Sequence, residues 1–107
     1  MRDISYKAIS MYLQKKGYEL YPDATASVMV AYDTDAEQLA FIRWDYELEP
    51  PFPEQQDWDS SEAENVALTY LCEHPEVEPA PIRYDDIVLV KASGPRAMIR
   101  HCKGILV

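Results

Sequence analysis

The sequence predicts a single α/β domain spanning residues 1–107, with a small mixed sheet. Two stretches place apolar residues at helical spacing, and others alternate in polarity or run in β-branched residues as strands do. A chain of 107 residues with 48% hydrophobic and 27% charged residues can bury one core but leaves no room for a second. The predicted order is a helix, three strands, a helix and a further strand.

The first predicted helix runs from Asp3 to Lys16, where apolar residues recur at helical spacing. Gly17 follows it and supplies the left-handed conformation that ends many helices. A short strand is predicted over Tyr18–Tyr21, and we expect it to stop at Pro22-Asp23, where proline removes a backbone donor.

The next two strands are predicted to form a hairpin. They cover Thr25–Tyr32 and Gln38–Leu48, and the polar residues between them form the turn. A period of two in the second strand places Leu39, Phe41, Arg43, Asp45 and Glu47 on one face of the sheet, and Ala40, Ile42, Trp44 and Tyr46 on the other.

A second helix is predicted to begin at Ser60 or Ser61 and to end near Glu73. Ser61 followed by Glu64 fits a capping box, in which the serine caps the helix and the glutamate reaches back to it. Proline-rich segments lie on both sides of this helix, and proline cannot continue a paired strand. The helix is therefore expected to connect two strands through loops.

The C-terminal part contains one well-defined strand prediction, over Tyr84–Val90, because this stretch ends in a β-branched apolar run. Ser93-Gly94-Pro95 is predicted to form a turn. The following segment, Ala97–Cys102, fits either a strand or a short helix, and the sequence does not decide between them.

The charge distribution is uneven. The net charge is −9, and no lysine or arginine occurs between Trp44 and Ile82, where eleven acidic residues lie. After Asp86 the chain has no acidic residue and is basic. Such a chain should repel a phosphate backbone along its middle. We therefore do not expect nucleic acid as the main partner.

No apolar stretch approaches the roughly 20 residues that a membrane helix needs, and the N-terminus does not resemble a secretory signal. These features predict a cytoplasmic protein that does not contact a membrane. Cys72 and Cys102 lie far apart with no Cys-x-x-Cys partner, so we expect buried free thiols rather than a zinc site or a disulfide.

Several local patterns occur in a characteristic order: Tyr12-Leu13 with Lys16-Gly17-Tyr18-Glu19, the hairpin Val28–Ala31 with Leu39–Ile42, Tyr70-Leu71, and Arg83–Val90 followed by Ile99-Arg100-His101. In their order and spacing they resemble the YraN family of predicted endonucleases, which have a restriction-endonuclease-like fold. The resemblance spans most of the chain and implies that fold. In this family, Gly-Glu-Ile-Asp opens the first hairpin strand and Glu-x-Lys lies on the second, where the carboxylates hold a divalent cation.

The catalytic positions that this resemblance implies are all changed here. Gly-Glu-Ile-Asp falls on Ala24-Thr25-Ala26-Ser27, and Glu-x-Lys falls on Arg43-Trp44-Asp45. The glutamate of the first helix falls near Tyr6. Because Ser27 is a weak neutral ligand and Arg43 carries a fixed positive charge, we expect no metal, no other cofactor and no nuclease activity. Arg43 and Asp45 share one strand face and could pair with each other.

The candidate binding residues fall into two groups. The aromatic residues Trp44, Tyr46, Phe52 and Trp58 flank the acidic segments and suit a protein partner with basic side chains, through burial and cation–π contact. An alternative of nearly equal weight is that Trp44 and Trp58 seal the core. Arg96, Arg100 and Lys103 are candidates for binding an anion.

The sequence therefore predicts an inactive nuclease-like domain that acts as a binding or regulatory module for another protein. One alternative is a divergent metal-dependent nuclease with relocated carboxylates at Asp23, Asp45 and Glu47. Another is a nucleic-acid binder that uses the basic C-terminal segment. His101 and Cys102 have no acidic partner in the sequence and are expected to pack. An exposed edge strand would also allow a homodimer.

Overall fold

The computed structural model describes residues 2–49, 51–53, 58–91 and 96–105. Within these ranges the chain forms helix α1 (Arg2–Lys15), strands β1 (Tyr18–Thr25), β2 (Val28–Asp33) and β3 (Gln38–Glu47), helix α2 (Ser60–Glu73), and strands β4 (Ile82–Lys91) and β5 (Ala97–Cys102). This is the predicted order, and it resolves the ambiguous last segment as a strand.

The five strands form one mixed sheet in the order β1-β2-β3-β4-β5. Neighbouring strands are antiparallel except β3 and β4, which are parallel. A parallel connection needs a long crossover, and α2 lies in the one between β3 and β4. The predicted α/β class with a small mixed sheet is confirmed.

Each face of the sheet carries its own apolar cluster. One contains Ile9 and Leu13 of α1 with Ala40, Ile42 and Trp44 of β3. The other contains Ala63, Ala67 and Tyr70 of α2 with Leu39 and Phe41 of β3, together with Trp58. The predicted alternation of β3 is therefore confirmed, and its odd-numbered side chains face α2.

The first strand is longer than predicted, and the start of the second was placed too early. β1 passes through Pro22 and ends at Thr25, which we had expected to begin the next strand; β2 begins at Val28. The pairing of β1 with β2 shifts between Tyr21 and Thr25. Proline is accepted here because β1 lies at the edge of the sheet, where a missing N–H breaks no ladder.

The helix ends show one confirmation and one correction. Gly17 has φ +90° after α1, as a left-handed stop requires. The N-cap of α2 is Asp59, whose side chain accepts a hydrogen bond from the Glu62 backbone N–H at 3.1 Å. The predicted cap, Ser61, instead lies inside the helix. Aspartate and serine are comparable N-caps, so composition alone could not choose between them.

Three further predictions concern a turn, the two cysteines and the absence of a membrane-spanning helix. The predicted turn Ser93-Gly94-Pro95 lies outside the described residues. Both cysteines are free, but Cys72 is exposed and Cys102 only partly buried, so the expectation of two buried thiols is wrong. In the described part of the chain, no helix has the length and apolar character to cross a membrane.

Candidate functional site

Ser27, Arg43 and Asp45, which the resemblance places at catalytic positions, border a cleft at one end of the sheet. We call it the hairpin cleft; it has a volume of about 330 Å³, and Ser27, Arg43, Asp45, Glu47, Asp86 and Arg100 line it. Three strands and a turn supply these residues. The parallel register sets Arg43 opposite Asp86, and the next antiparallel register sets Val88 opposite Arg100.

Arg43 lies beside Asp86. Its Nε donates to Asp86 Oδ1 at 3.2 Å, and its guanidinium lies 5.5 Å from the Trp58 ring centroid. We had considered Asp45 as the partner of Arg43; Asp45 is exposed, and its Oδ1 accepts a hydrogen bond from the Tyr46 backbone N–H. Asp86 was missed because its proximity to Arg43 depends on the offset between two parallel strands.

These side chains do not fit a divalent cation. Arg43 carries a permanent positive charge, and it already pairs with the buried carboxylate of Asp86. Ser27 is exposed and offers only a neutral hydroxyl. Among the described residues, no three His, Cys, Asp or Glu side chains are grouped so that they could hold a metal ion.

The relocated carboxylates of the alternative nuclease hypothesis are divided between two places. Asp45 and Glu47 line the hairpin cleft. Asp23 lies near the Tyr6 side chain of α1, and burial together with this carboxylate raises the pKa of Tyr6. Asp23 is not among the described residues that border the cleft.

Two of the four aromatic partner candidates are buried. Trp44 is 3% exposed and Trp58 is 5% exposed, and each belongs to one of the two apolar clusters. The Arg2 guanidinium lies over the Trp44 ring, with its Cζ 4.3 Å from the ring centroid. Tyr46 and Phe52 are half-buried and keep some surface. The burial favours the alternative in which the tryptophans seal the core, whereas contact of Tyr46 and Phe52 with a partner stays a prediction.

The three anion-binding candidates do not form one patch. Arg96 and Lys103 are exposed. Arg100 lines the hairpin cleft, where its Nη1 donates to the Pro53 carbonyl at 2.8 Å. Lys103 lines a different pocket, which it shares with Tyr12, Arg83 and His101.

That second pocket borders a network of buried charges that the sequence analysis missed. We call it the Asp85 network; it consists of Tyr12, Tyr18, Asp33, Arg83, Asp85 and His101. Asp85 is 0% exposed. Its carboxylate accepts two hydrogen bonds from Arg83, Nε at 2.8 Å and Nη2 at 2.9 Å, and a third from the Gly104 backbone N–H at 3.1 Å. Nε2 of His101 lies 2.8 Å from the same carboxylate.

The network extends from Asp85 to α1 and to the β2–β3 turn. Nδ1 of His101 is 3.1 Å from the Tyr12 hydroxyl. Arg83 also donates to Asp33 at 2.8 Å and to the Tyr18 hydroxyl at 2.7 Å. The packing predicted for His101 is thus accompanied by an acidic partner sixteen positions away. One clue was present in the sequence, namely two acids at the start of an otherwise apolar strand.

Hydrogen bonds within this network stabilise the ionised forms of its two carboxylates. Burial alone would raise the pKa of Asp85, but hydrogen bonds from His101 and Arg83 outweigh it and hold that pKa below its usual value. The pKa of Asp33 is likewise lowered, since bonds from Arg83 and the Ala36 backbone outweigh burial. Burial raises the pKa of Tyr18 to about 12. The carboxylates are therefore ionised and Tyr18 is neutral at physiological pH.

Comparison with known proteins gives no match to a protein-family model and none to a curated protein sequence. The geometry of the hairpin cleft and the charges on the surface therefore carry the functional argument.

Proposed function

We propose that this chain is a restriction-endonuclease-like domain that has lost catalysis and binds a protein segment rich in basic side chains. The observation that carries the proposal is the exposed side of α2. The residue types in the hairpin cleft support the non-catalytic part of it, because a guanidinium stands where the resemblance implies a metal-binding acid.

The exposed side of α2, which we call the acidic face, consists of Glu62, Glu64, Leu68 and Glu73. The three glutamates are exposed, and Leu68 is 64% exposed. No lysine or arginine occurs on this helix. Leu68 lies one turn after Glu64, and an exposed apolar side chain beside a carboxylate on a helix without basic residues suits a partner that buries a leucine contact and supplies cations.

The C-terminal end of α2 adds to this preference. A helix C-terminus carries a partial negative charge, which a basic residue in the last turn commonly offsets. Here the last turn has no basic residue and ends in Glu73. Glu76 and Glu78 follow and are also exposed. The negative potential of the helix end thus adds to that of the side chains, and a cationic segment would relieve both.

The binding test uses a synthetic amphipathic peptide of lysine and leucine, titrated into the ¹⁵N-labelled domain. We expect the largest amide shifts on α2. Reversing all three charges with Glu62→Lys, Glu64→Lys and Glu73→Lys should weaken binding at least tenfold. A matched variant with three exposed acids reversed elsewhere, at Glu19, Asp35 and Glu37, should bind within threefold of the unaltered domain. An equal loss of peptide affinity in the two variants would show that the peptide responds only to net charge. It would refute the proposal that the acidic face is the binding site.

The catalytic part is tested separately, by calorimetry with Mg²⁺ and Mn²⁺ and by incubating the domain with branched and single-stranded DNA. We expect neither cation binding nor cleavage. Cleavage that disappears in an Asp45→Asn, Glu47→Gln double variant would establish the relocated-carboxylate nuclease instead.

A further inference from the structure

Two arginines of this sheet, Arg83 and Arg100, differ in whether their Nε and Nη2 atoms have hydrogen-bond acceptors. Nε and Nη2 of an arginine point the same way and form a fork that matches the two oxygens of a carboxylate. In Arg83 this fork is filled by Asp85, at 2.8 and 2.9 Å. In Arg100 both atoms of the fork are buried, and no described residue accepts a hydrogen bond from either.

The Arg100 side chain is held in place by its other contacts. Its Nη1 donates to the Pro53 carbonyl at 2.8 Å, and its guanidinium lies 5.3 Å from the Phe52 ring centroid. Its backbone belongs to β5, opposite Val88 of β4. The plane of the guanidinium is therefore fixed by one hydrogen bond and one ring before any ligand arrives, which reduces the entropy lost on binding.

A buried charged donor without an acceptor is costly, so such a group points to an acceptor that binds it. We propose that the fork of Arg100 binds a carboxylate, supplied by a small organic acid or by an acidic side chain or chain terminus of a partner. Arg100 lines the hairpin cleft, whose volume of about 330 Å³ admits a small carboxylic acid. Both donor atoms are buried, so a ligand reaches them only when the groups that cover them move.

The other charges of the cleft favour a monoanion over a phosphate dianion. Asp45 and Glu47 line the same cleft and are exposed. Of the other two arginines that line the cleft, Arg43 is engaged with Asp86, and Arg2 donates to the Ala26 carbonyl and lies over the Trp44 ring. A second negative charge on the ligand would be repelled by the two exposed carboxylates without gaining a further free fork. This site does not depend on the acidic face of α2, because none of the residues of that face lines the cleft.

The test follows the side-chain Nε–H signals of the ¹⁵N-labelled domain during titration with sodium acetate, with sodium chloride added to keep the ionic strength constant. We expect the Arg100 signal to shift downfield and to saturate with a Kd on the order of 10 mM, as suits so small a ligand. The Arg83 signal should stay in place, because its fork is already filled.

An Arg100→Lys variant keeps the positive charge but removes the fork. It should lose the saturable response, whereas Arg96→Lys, an exposed arginine nearby, should keep it. The titration of the unaltered domain decides the question even if Arg100→Lys does not fold. No shift at Arg100, an equal shift with chloride alone, or saturation by inorganic phosphate at a lower concentration than acetate would each overturn the carboxylate site.

Discussion

Replacing Asp85 by asparagine tests the Asp85 network most directly. The substitution nearly preserves the volume of the side chain, so it leaves no cavity and reports on charge and hydrogen bonds alone. It removes the negative charge that faces the buried Arg83 guanidinium, and one of the oxygens that accept from Arg83 and His101 becomes an amide nitrogen. A donor then faces a donor in a site that is 0% exposed.

The expected cost is large for a domain of this size. Removing one partner of a buried, hydrogen-bonded ion pair destabilises a protein by about 3–5 kcal/mol. A domain of about 100 residues unfolds with a free energy of roughly 5–15 kcal/mol, so Asp85→Asn should lose a substantial fraction of it. The midpoint of thermal unfolding should fall by at least about 12 °C. Urea unfolding followed by tryptophan fluorescence measures the free energy directly.

The pH dependence of folding stability tests the same variant independently. The pKa values of Asp85 and Asp33 are lowered from the usual 3.8, so their ionisation stabilises the fold above about pH 4. This stabilisation is lost as pH falls through the lowered values, when protons bind to the folded state. The unaltered domain should therefore lose stability steeply as pH falls below about 4. Asp85→Asn should show a shallower loss, because one of the two carboxyls is gone.

A control and a second variant complete the test. Asp35→Asn removes an exposed carboxylate from the neighbouring turn and should change stability by less than about 0.5 kcal/mol. Should Asp85→Asn not fold, Asp33→Asn, which breaks only the outer contact with Arg83, should cost about 1–3 kcal/mol. A loss below about 1 kcal/mol for Asp85→Asn, with unchanged acid sensitivity, would refute the view that this network stabilises the fold.

Four further substitutions test the fold, each by urea unfolding. Asp59→Ala removes the N-cap of α2 and should cost about 1 kcal/mol, whereas Ser61→Ala should cost less than about 0.5; the reverse order would restore the predicted capping box. Gly17→Ala places a Cβ 3.3 Å from Thr34 Oγ1 at φ +90° and should cost about 1–2 kcal/mol; no loss would mean that the turn can relax. Trp58→Ala should cost about 3–5 kcal/mol if this residue seals the core, and little if it serves mainly a partner.

The elements that could be predicted from the sequence are those with a local signal. The spacing of apolar residues predicts both helices, the alternation of β3 and the buried apolar run of β4. The end of β1 could not be predicted in this way. Whether Pro22 ends a strand depends on whether that strand lies at the edge of the sheet, which is a property of the whole fold.

The charged sites were less predictable, because their partners are far apart in sequence. Asp85 and Asp86 are neighbours on one strand, so their side chains point to opposite faces of the sheet. Asp85 meets Arg83 and His101, while Asp86 meets Arg43 across the parallel pair. The sequence shows two acids in a buried strand and therefore a need for cations. Which cations satisfy them follows only from the strand register.

The single parallel pairing in the described sheet bears on how this chain folds. β1, β2 and β3 are joined by short turns, whereas β3 reaches β4 only after the long segment that contains α2. Closing that segment costs chain entropy before the contact is gained, so the antiparallel units should form early and the β3–β4 seam late. Weakening the seam, for instance at Arg43 or Asp86, should accelerate unfolding and leave the refolding rate nearly unchanged. The Arg43–Asp86 ion pair would then govern how long the native state persists.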